Sequence, residues 1–230
     1  MQSGTPNDVK PLAILAINAG TSDPSSTRLL AGRAGAATLE YLETLGKPAT
    51  LSAVDLAPIG AQITASLLGT APLPEVAAVM EQMAAADALI MSTPVYKAGV
   101  SGLFKAFVDT LENDLIIAKP MILAATAGTS RHAMVVDEQM RPLFAFMRAF
   151  PVPTSLFATA EDWADPSFGT RVKRAGVELA ELAASGIERR ITGASRGSYN
   201  SEFGSTAQAQ GNPELSFDTE MMRLAAGGSV

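Results

Sequence analysis

The chain has 230 residues, 47% of them hydrophobic and 17% charged, with a formal net charge of -6. That much apolar material excludes disorder as the overall state, and the acidic balance lacks the basic face that a nucleic-acid partner requires. Cysteine is absent and His132 is the single histidine, which excludes disulfides, thiolate nucleophiles and multi-histidine metal sites within one chain. No metal ligand set is therefore assigned.

The opening MQSGTPNDVK is polar and does not read as a secretory signal. No apolar run is long enough to span a bilayer. A soluble, cytoplasmic protein without a membrane partner is the expectation.

Five short apolar segments read as strands: Pro11 to Asn18, Thr50 to Leu56, Ala88 to Thr93, Met121 to Thr126 and Thr154 to Ala158. Four are almost continuously apolar, the pattern of parallel strands covered on both faces. Between and after them, Ser26 to Leu45, Glu75 to Ala86, Val100 to Asn113, Arg131 to Phe150 and Asp165 to Ile191 show helical spacing. Pro142 is expected to kink or split the fourth of these. Repeated strand–helix alternation predicts an α/β, doubly wound, five-stranded parallel sheet. The domain organisation follows: residues 1–10 a flexible tail, 11–192 one domain, and 193–230 an extension. From Gly193 to Pro213 the chain is rich in Gly, Ser, Asn and Gln, which reads as an extended tail. Phe203 and the segment from Phe217 to Leu224 offer apolar anchors for docking on a neighbouring surface.

Open α/β sheets collect ligands beyond the carboxyl ends of their strands, where the winding reverses. In the order 2-1-3-4-5 the loops after strands one, three and four meet there. The first, NAGTSDPSSTRLL, brings Thr21, Ser22, Ser25, Ser26 and Thr27 to the start of a helix. Backbone N–H groups and the helix dipole favour an anion at that place. Hydroxyls suit a compact monoester phosphate, whereas the glycine pattern of a pyrophosphate loop is missing. Ordinary helix capping is the competing reading of any one of these serines.

The second loop, STPVYKAGVSGLFKAFVDTL, offers Pro94, Val95, Tyr96 and Lys97, a restricted turn with one flat aromatic face. Tyr96 as a half-buried core aromatic and Lys97 as a solvated charge are the structural alternatives. Phe104, Phe107 and Val108 fall at core spacing. The third loop, ATAGTSRHAM, offers Thr126, Ala127, Gly128 and Thr129 with free backbone N–H groups. Arg131 follows as a partner for a dinucleotide phosphate. His132 reads as a hydrogen-bonding or interface residue rather than a base.

The strings AGTSDPSSTRLL, TPVYKAGVSGLFKAFVDTL and ATAGTSRHAMVVDEQMRPLFAFMRAF, in that order from about Leu12 to Ala158, resemble the flavodoxin-like NAD(P)H-dependent FMN reductases. The likeness is nearest to reductases that serve two-component flavin monooxygenases of the alkanesulfonate and luciferase-like types. It implies FMN and NADPH (or NADH) as cofactors, with hydride transfer between them and no catalytic acid or base. It places the phosphate on Thr21, Ser22, Ser25, Ser26 and Thr27. The flavin ring falls beside Pro94, Val95, Tyr96 and Lys97, and its edge along Thr126, Ala127, Gly128 and Thr129. Many members carry an arginine between the glycine and hydroxyls of the first loop; here Asp23 and Pro24 stand there, and Arg28 follows later. The resemblance also implies a homodimer or homotetramer, with the apolar stretch from Met134 to Phe150 near the interface, and a flavin monooxygenase as partner. A flavodoxin-type electron carrier and a quinone or azo reductase remain alternatives at this stage.

Overall fold

The computed structural model describes residues 10–194, all within one unit of the chain. Residues 1–9 and 195–230 lie outside the described residues, and with them Phe203 and the segment from Phe217 to Leu224; of the extension expected from Gly193, only Gly193 and Ala194 are described, as the end of a helix.

The apolar segments form the strands β1 (Leu12–Asn18), β2 (Ala49–Asp55), β3 (Ala88–Tyr96), β4 (Gly99–Val100), β5 (Pro120–Thr126), β6 (Phe150–Pro151) and β7 (Leu156–Ala158). The helices are α1 (Ser26–Thr44), α2 (Gly60–Leu68), α3 (Pro74–Ala85), α4 (Gly102–Asp109), α5 (Arg141–Phe146), α6 (Pro166–Ser185) and α7 (Ile187–Ala194). The parallel sheet runs β2-β1-β3-β5, and both β6 and β7 pair with β5 beyond it. The expected order 2-1-3-4-5 thus holds for the four long strands, with the short β6 and β7 sharing the fifth position, and the five expected strands become seven among the described residues. The fifth position is split because Pro151 and Pro153 each lack an N–H for the ladder. The remaining strand, β4, folds back antiparallel on the end of β3.

Alternating strand residues explain the two covered faces. Ile14, Ala16, Ile90, Ile122 and Ala124 cluster with Leu30, Ala34, Phe168, Val172 and Leu179 of α1 and α6. The intervening Leu15, Ile17, Leu89, Met91, Met121 and Leu123 are equally buried and point to the opposite face. On that side α3 meets β1 and α2 packs on both α3 and α4. Phe104 of α4 and Phe144 of α5 meet edge to face, with ring centres 6.1 Å apart. Burial of this kind is the main favourable contribution to folding.

Three helical expectations need correction. The stretch from Arg131 to Phe150 is not one kinked helix. It is a 3-10 turn (Ser130–His132), a π turn (Val136–Met140) and then α5. Pro142 sits in the first turn of α5, where its missing N–H costs nothing. The helix expected to run to Ile191 breaks at Gly186, whose φ of 63° ends α6 before α7 begins. Finally, α2 had no counterpart in the sequence reading. No helix among the described residues is long and apolar enough to cross a membrane.

Candidate active site

Because β1, β3, β5 and β7 are parallel, their carboxyl ends share one edge of the sheet. The loops leaving that edge enclose a cleft of about 390 Å³, within the ordinary range for small-ligand sites. The first loop contributes Gly20, Thr21, Ser22, Ser26 and Thr27, the second Pro94, Val95 and Tyr96, and the third Thr126, Ala127 and Gly128.

Helix α1 begins at this cleft. Its N-cap is Ser25, whose Oγ accepts from Arg28 N at 3.1 Å. No acidic residue stands in its first turn, so the helix itself carries no carboxylate against its positive dipole end. Gly20 N donates to Asn18 Oδ1 at 3.0 Å, and Asn18 Nδ2 donates to Asp55 Oδ1 at 2.8 Å. Asp55 also pairs with Arg28 at 3.0 Å. The first loop is therefore tied to the end of β2, and Arg28 is already partnered by a carboxylate.

Two hydroxyl pairs join the loops. The buried Thr27 and Thr126 oxygens are 2.6 Å apart. Across the mouth, Thr21 Oγ1 and the Tyr96 hydroxyl are 3.0 Å apart, and Tyr96 remains 49% exposed. The third loop is set by Ala127 N, which donates to the Ala158 carbonyl at 3.0 Å.

Ten of the fourteen residues expected from the sequence line this cleft. Four do not. Ser25 turns its hydroxyl to the helix cap and faces an adjoining hollow with Asp23, Arg28 and Asp55. Lys97 sits at the exposed tip of the β3–β4 turn, and Thr129 and Arg131 are exposed beyond Gly128. His132 lies in the 3-10 turn, also away from the lining.

The sequence reading missed a fourth wall. Ala158, Thr159, Ala160 and Trp163 complete the cleft after β7. Asp162 holds this wall by accepting from Thr159 N at 2.6 Å and Thr159 Oγ1 at 2.9 Å. Trp163 is braced by Phe168, at 5.6 Å between ring centres, and by the Arg33 guanidinium 4.8 Å above its face. The sole tryptophan placed just past the last strand was the available signal.

Among the described lining residues there is no carboxylate, imidazole, lysine or arginine. The groups whose titration is clearly displaced lie elsewhere. A hydrogen bond to Glu181 raises Tyr41, one from Ser167 lowers Asp165, and burial raises Glu188. What the cleft offers is hydroxyls, backbone amides and two aromatic faces.

Residues 12–164 match the family model described as NADPH-dependent FMN reductase. The chain is 37% identical over 174 residues to the NADH-dependent FMN reductase SfnE of Pseudomonas putida, covering 74% of this chain and 89% of that one. It is 33% identical over 172 residues to an FMN reductase (NADPH) of Pseudomonas aeruginosa, with the same coverage. Among solved structures, an oxidoreductase from Corynebacterium diphtheriae superposes with a TM-score of 0.73 at 35% identity, over 76% of this chain and 98% of that one. The fold, the cleft and these likenesses agree, and the chain belongs to the NADPH-dependent FMN reductase family.

Proposed function

We propose that this NAD(P)H:FMN oxidoreductase binds FMN in the cleft at the carboxyl edge of its sheet, with the phosphate at the start of α1 and the ring between the second and third loops. The residues present fit that group. Ser22, Ser26 and Thr27 supply hydroxyls beside a helix start that carries no acidic residue. Nothing stands within 4 Å of where a side chain on Gly128 would begin, so its backbone is open to the polar edge of a flavin. Pro94, Val95 and Tyr96 form a wall for the ring.

The observation that carries this reading is a lining without any acid–base side chain except the Tyr96 phenol. Bound flavin supplies the hydride-accepting chemistry, with reduced nicotinamide dinucleotide as donor. Hydride transfer asks the protein only for distance, orientation and electrostatics. The chain's contribution is to fix the phosphate with hydroxyls and the α1 dipole, and to hold one ring face against the second loop. Exposed Arg131 is suited to the dinucleotide's phosphates.

The mouth is open and Tyr96 is half exposed, which supports FMN acting as a released substrate. Reduced FMN would then pass to a flavin-dependent monooxygenase. Met134, Phe146 and Phe150 are large apolar side chains left exposed, and they support a homodimer or homotetramer that covers them.

Pure protein mixed with NADPH or NADH is expected to oxidise the nucleotide only when FMN is added. Ser26→Asp places a negative charge beside the phosphate and should weaken FMN binding at least tenfold. Nucleotide oxidation that is indifferent to FMN, or an unchanged affinity in Ser26→Asp, would refute the assignment.

A further inference from the structure

The turn that carries Tyr96 is unusual. Tyr96 pairs with Gly99 and Val95 with Val100, so only Lys97 and Ala98 form the connection. Both are left-handed, with φ of 51° and 67°. A two-residue hairpin turn with φ above zero at both positions ordinarily takes Asn-Gly or Gly-Gly, because a Cβ disfavours that region. Neither residue here is of that kind, so something outside the hairpin must hold it.

The inner end is anchored by a buried pair. Ser101 N donates to Thr93 Oγ1 at 3.1 Å, and Ser101 Oγ caps α4 through Phe104 N at 3.2 Å. The outer edge is gripped by a side chain forty residues away in sequence. Gln139 Oε1 accepts from Val100 N at 3.1 Å, and Gln139 Nε2 donates to the Ala98 carbonyl at 3.2 Å. A carboxamide has one acceptor and one donor side by side, as a peptide group does. Gln139 therefore plays the part of a third strand on the open edge of β4.

The π turn Val136–Met140 explains how it reaches. Within it Val136 and Met140 are buried while Gln139 is left exposed, next to the hairpin. Such single π turns recur at functional sites. The approach is close: a Cβ on Gly99 would stand 3.0 Å from Gln139 Oε1.

We infer that Gln139, which does not line the cleft, is the positioning residue for the flavin-facing wall. It holds the Lys97–Ala98 turn in its left-handed form and so sets where Val95 and Tyr96 stand. This rests on the cleft being the flavin site. The role is one of affinity and orientation, since no atom of Gln139 is among those facing the ligand space.

The test compares Gln139→Leu, similar in size but without donor or acceptor, with Tyr96→Ala and the unaltered protein. In Gln139→Leu the KM for FMN is expected to rise about tenfold, with a smaller change in kcat. Trypsin should cleave after Lys97 faster than in the unaltered protein, and saturating FMN should slow that cleavage again. Independently of any substitution, Val100 N–H should exchange slowly with solvent in the unaltered protein. Unchanged KM and unchanged cleavage in Gln139→Leu, or fast exchange at Val100, would overturn the inference. If Tyr96→Ala raises KM while Gln139→Leu does not, only the positioning role falls. If neither variant moves KM, the placement of the flavin falls with it.

Discussion

Gly20 is the point where the phosphate loop is most tightly built, and Gly20→Ala measures how tightly. A methyl there would overlap Ser25 Oγ and stand 3.1 Å from Asn18 Oδ1. The overlap is relieved only if Ser25 swings its hydroxyl away, which breaks the 3.1 Å bond from Arg28 N. Losing an N-cap costs about 1 kcal/mol, and residual crowding against Asn18 adds roughly 1–2 kcal/mol. Fewer unfolded conformations return about 0.4–1 kcal/mol. The expected net loss is about 1–2.6 kcal/mol, or roughly 2–10 °C in Tm for a domain of this size. Once Ser25 is alanine the cap is already gone, so Gly20→Ala should then cost about 1 kcal/mol less. Urea unfolding of the four proteins closes the double-mutant cycle. Strict additivity within about 0.3 kcal/mol would refute the proposed packing. The same four proteins report on function, because Ser25 faces the cap and not the main cleft. Ser25→Ala should shift FMN affinity less than threefold, whereas Gly20→Ala should weaken it about tenfold by displacing Thr21 and Ser22.

Thr27→Val removes one member of the buried 2.6 Å hydroxyl pair with Thr126. It should cost about 1–3 kcal/mol by leaving Thr126 unsatisfied, while the double Thr27→Val, Thr126→Val protein recovers most of that stability. FMN affinity should stay weakened in both, and recovery of affinity in the double variant would remove Thr27 from the site. Lys119 is 1% exposed. It donates to the carbonyls of Ala84 and Ala86 at 2.9 and 2.6 Å and pairs with Glu188 at 3.0 Å. Lys119→Met should destabilise by about 2–4 kcal/mol in urea unfolding, since Glu188 and two carbonyls lose their partner. Lys119 precedes β5, at the sheet edge opposite the cleft, so kcat should remain within twofold; a tenfold loss would contradict that placement. Burial raises Glu188 above its ordinary value despite the opposing pull of Lys119. A raised carboxyl favours the folded state below its unfolded value, and that advantage is lost as pH climbs through the folded value. Glu188→Gln should therefore gain in stability relative to the unaltered protein as pH rises from 4.5, the ordinary glutamate value, toward neutrality. A gap that narrows over the same range would show that pairing outweighs burial.

The parts of this molecule that sequence made legible are those governed by local rules. The strands β1, β3 and β5 are apolar on both faces, and that alone marks them as inner parallel strands. Parallelism then forces their carboxyl ends to one edge, so the convergence of the loops carrying Ser25, Tyr96 and Gly128 followed without any distance being known, although it is Ser26 and not Ser25 that lines the cleft. The same rule pointed to the loop after the last strand, yet Thr159 and Trp163 were passed over because β7 has only three residues and carries no glycine-rich turn. Other features depend on contacts that sequence spacing does not encode. Serines at 22, 25 and 26 look alike in a string of hydroxyls. What separates them is that Ser25 alone occupies the N-cap, where its oxygen is taken up by Arg28 N.

The Lys97–Ala98 turn was hidden for the opposite reason. Its residues contradict the local preference for glycine or asparagine, so local reasoning points away from a tight hairpin there. The structure tolerates the conflict because Gln139 supplies from a distance what the turn lacks in itself. Conflicts between local propensity and tertiary structure gather where function constrains the backbone. In this chain one such place is the residue pair directly after Tyr96, on the wall assigned to the flavin ring; Ala118 and Arg148, with φ of 56° and 57°, are left-handed away from the cleft. The π turn opposite belongs to the same arrangement, since a regular helix would carry the positions after Val136 round by about 100° per residue and give position 139 a different face. The strained turn and the π turn are thus two halves of one device, and the amide of Gln139 is the link between them.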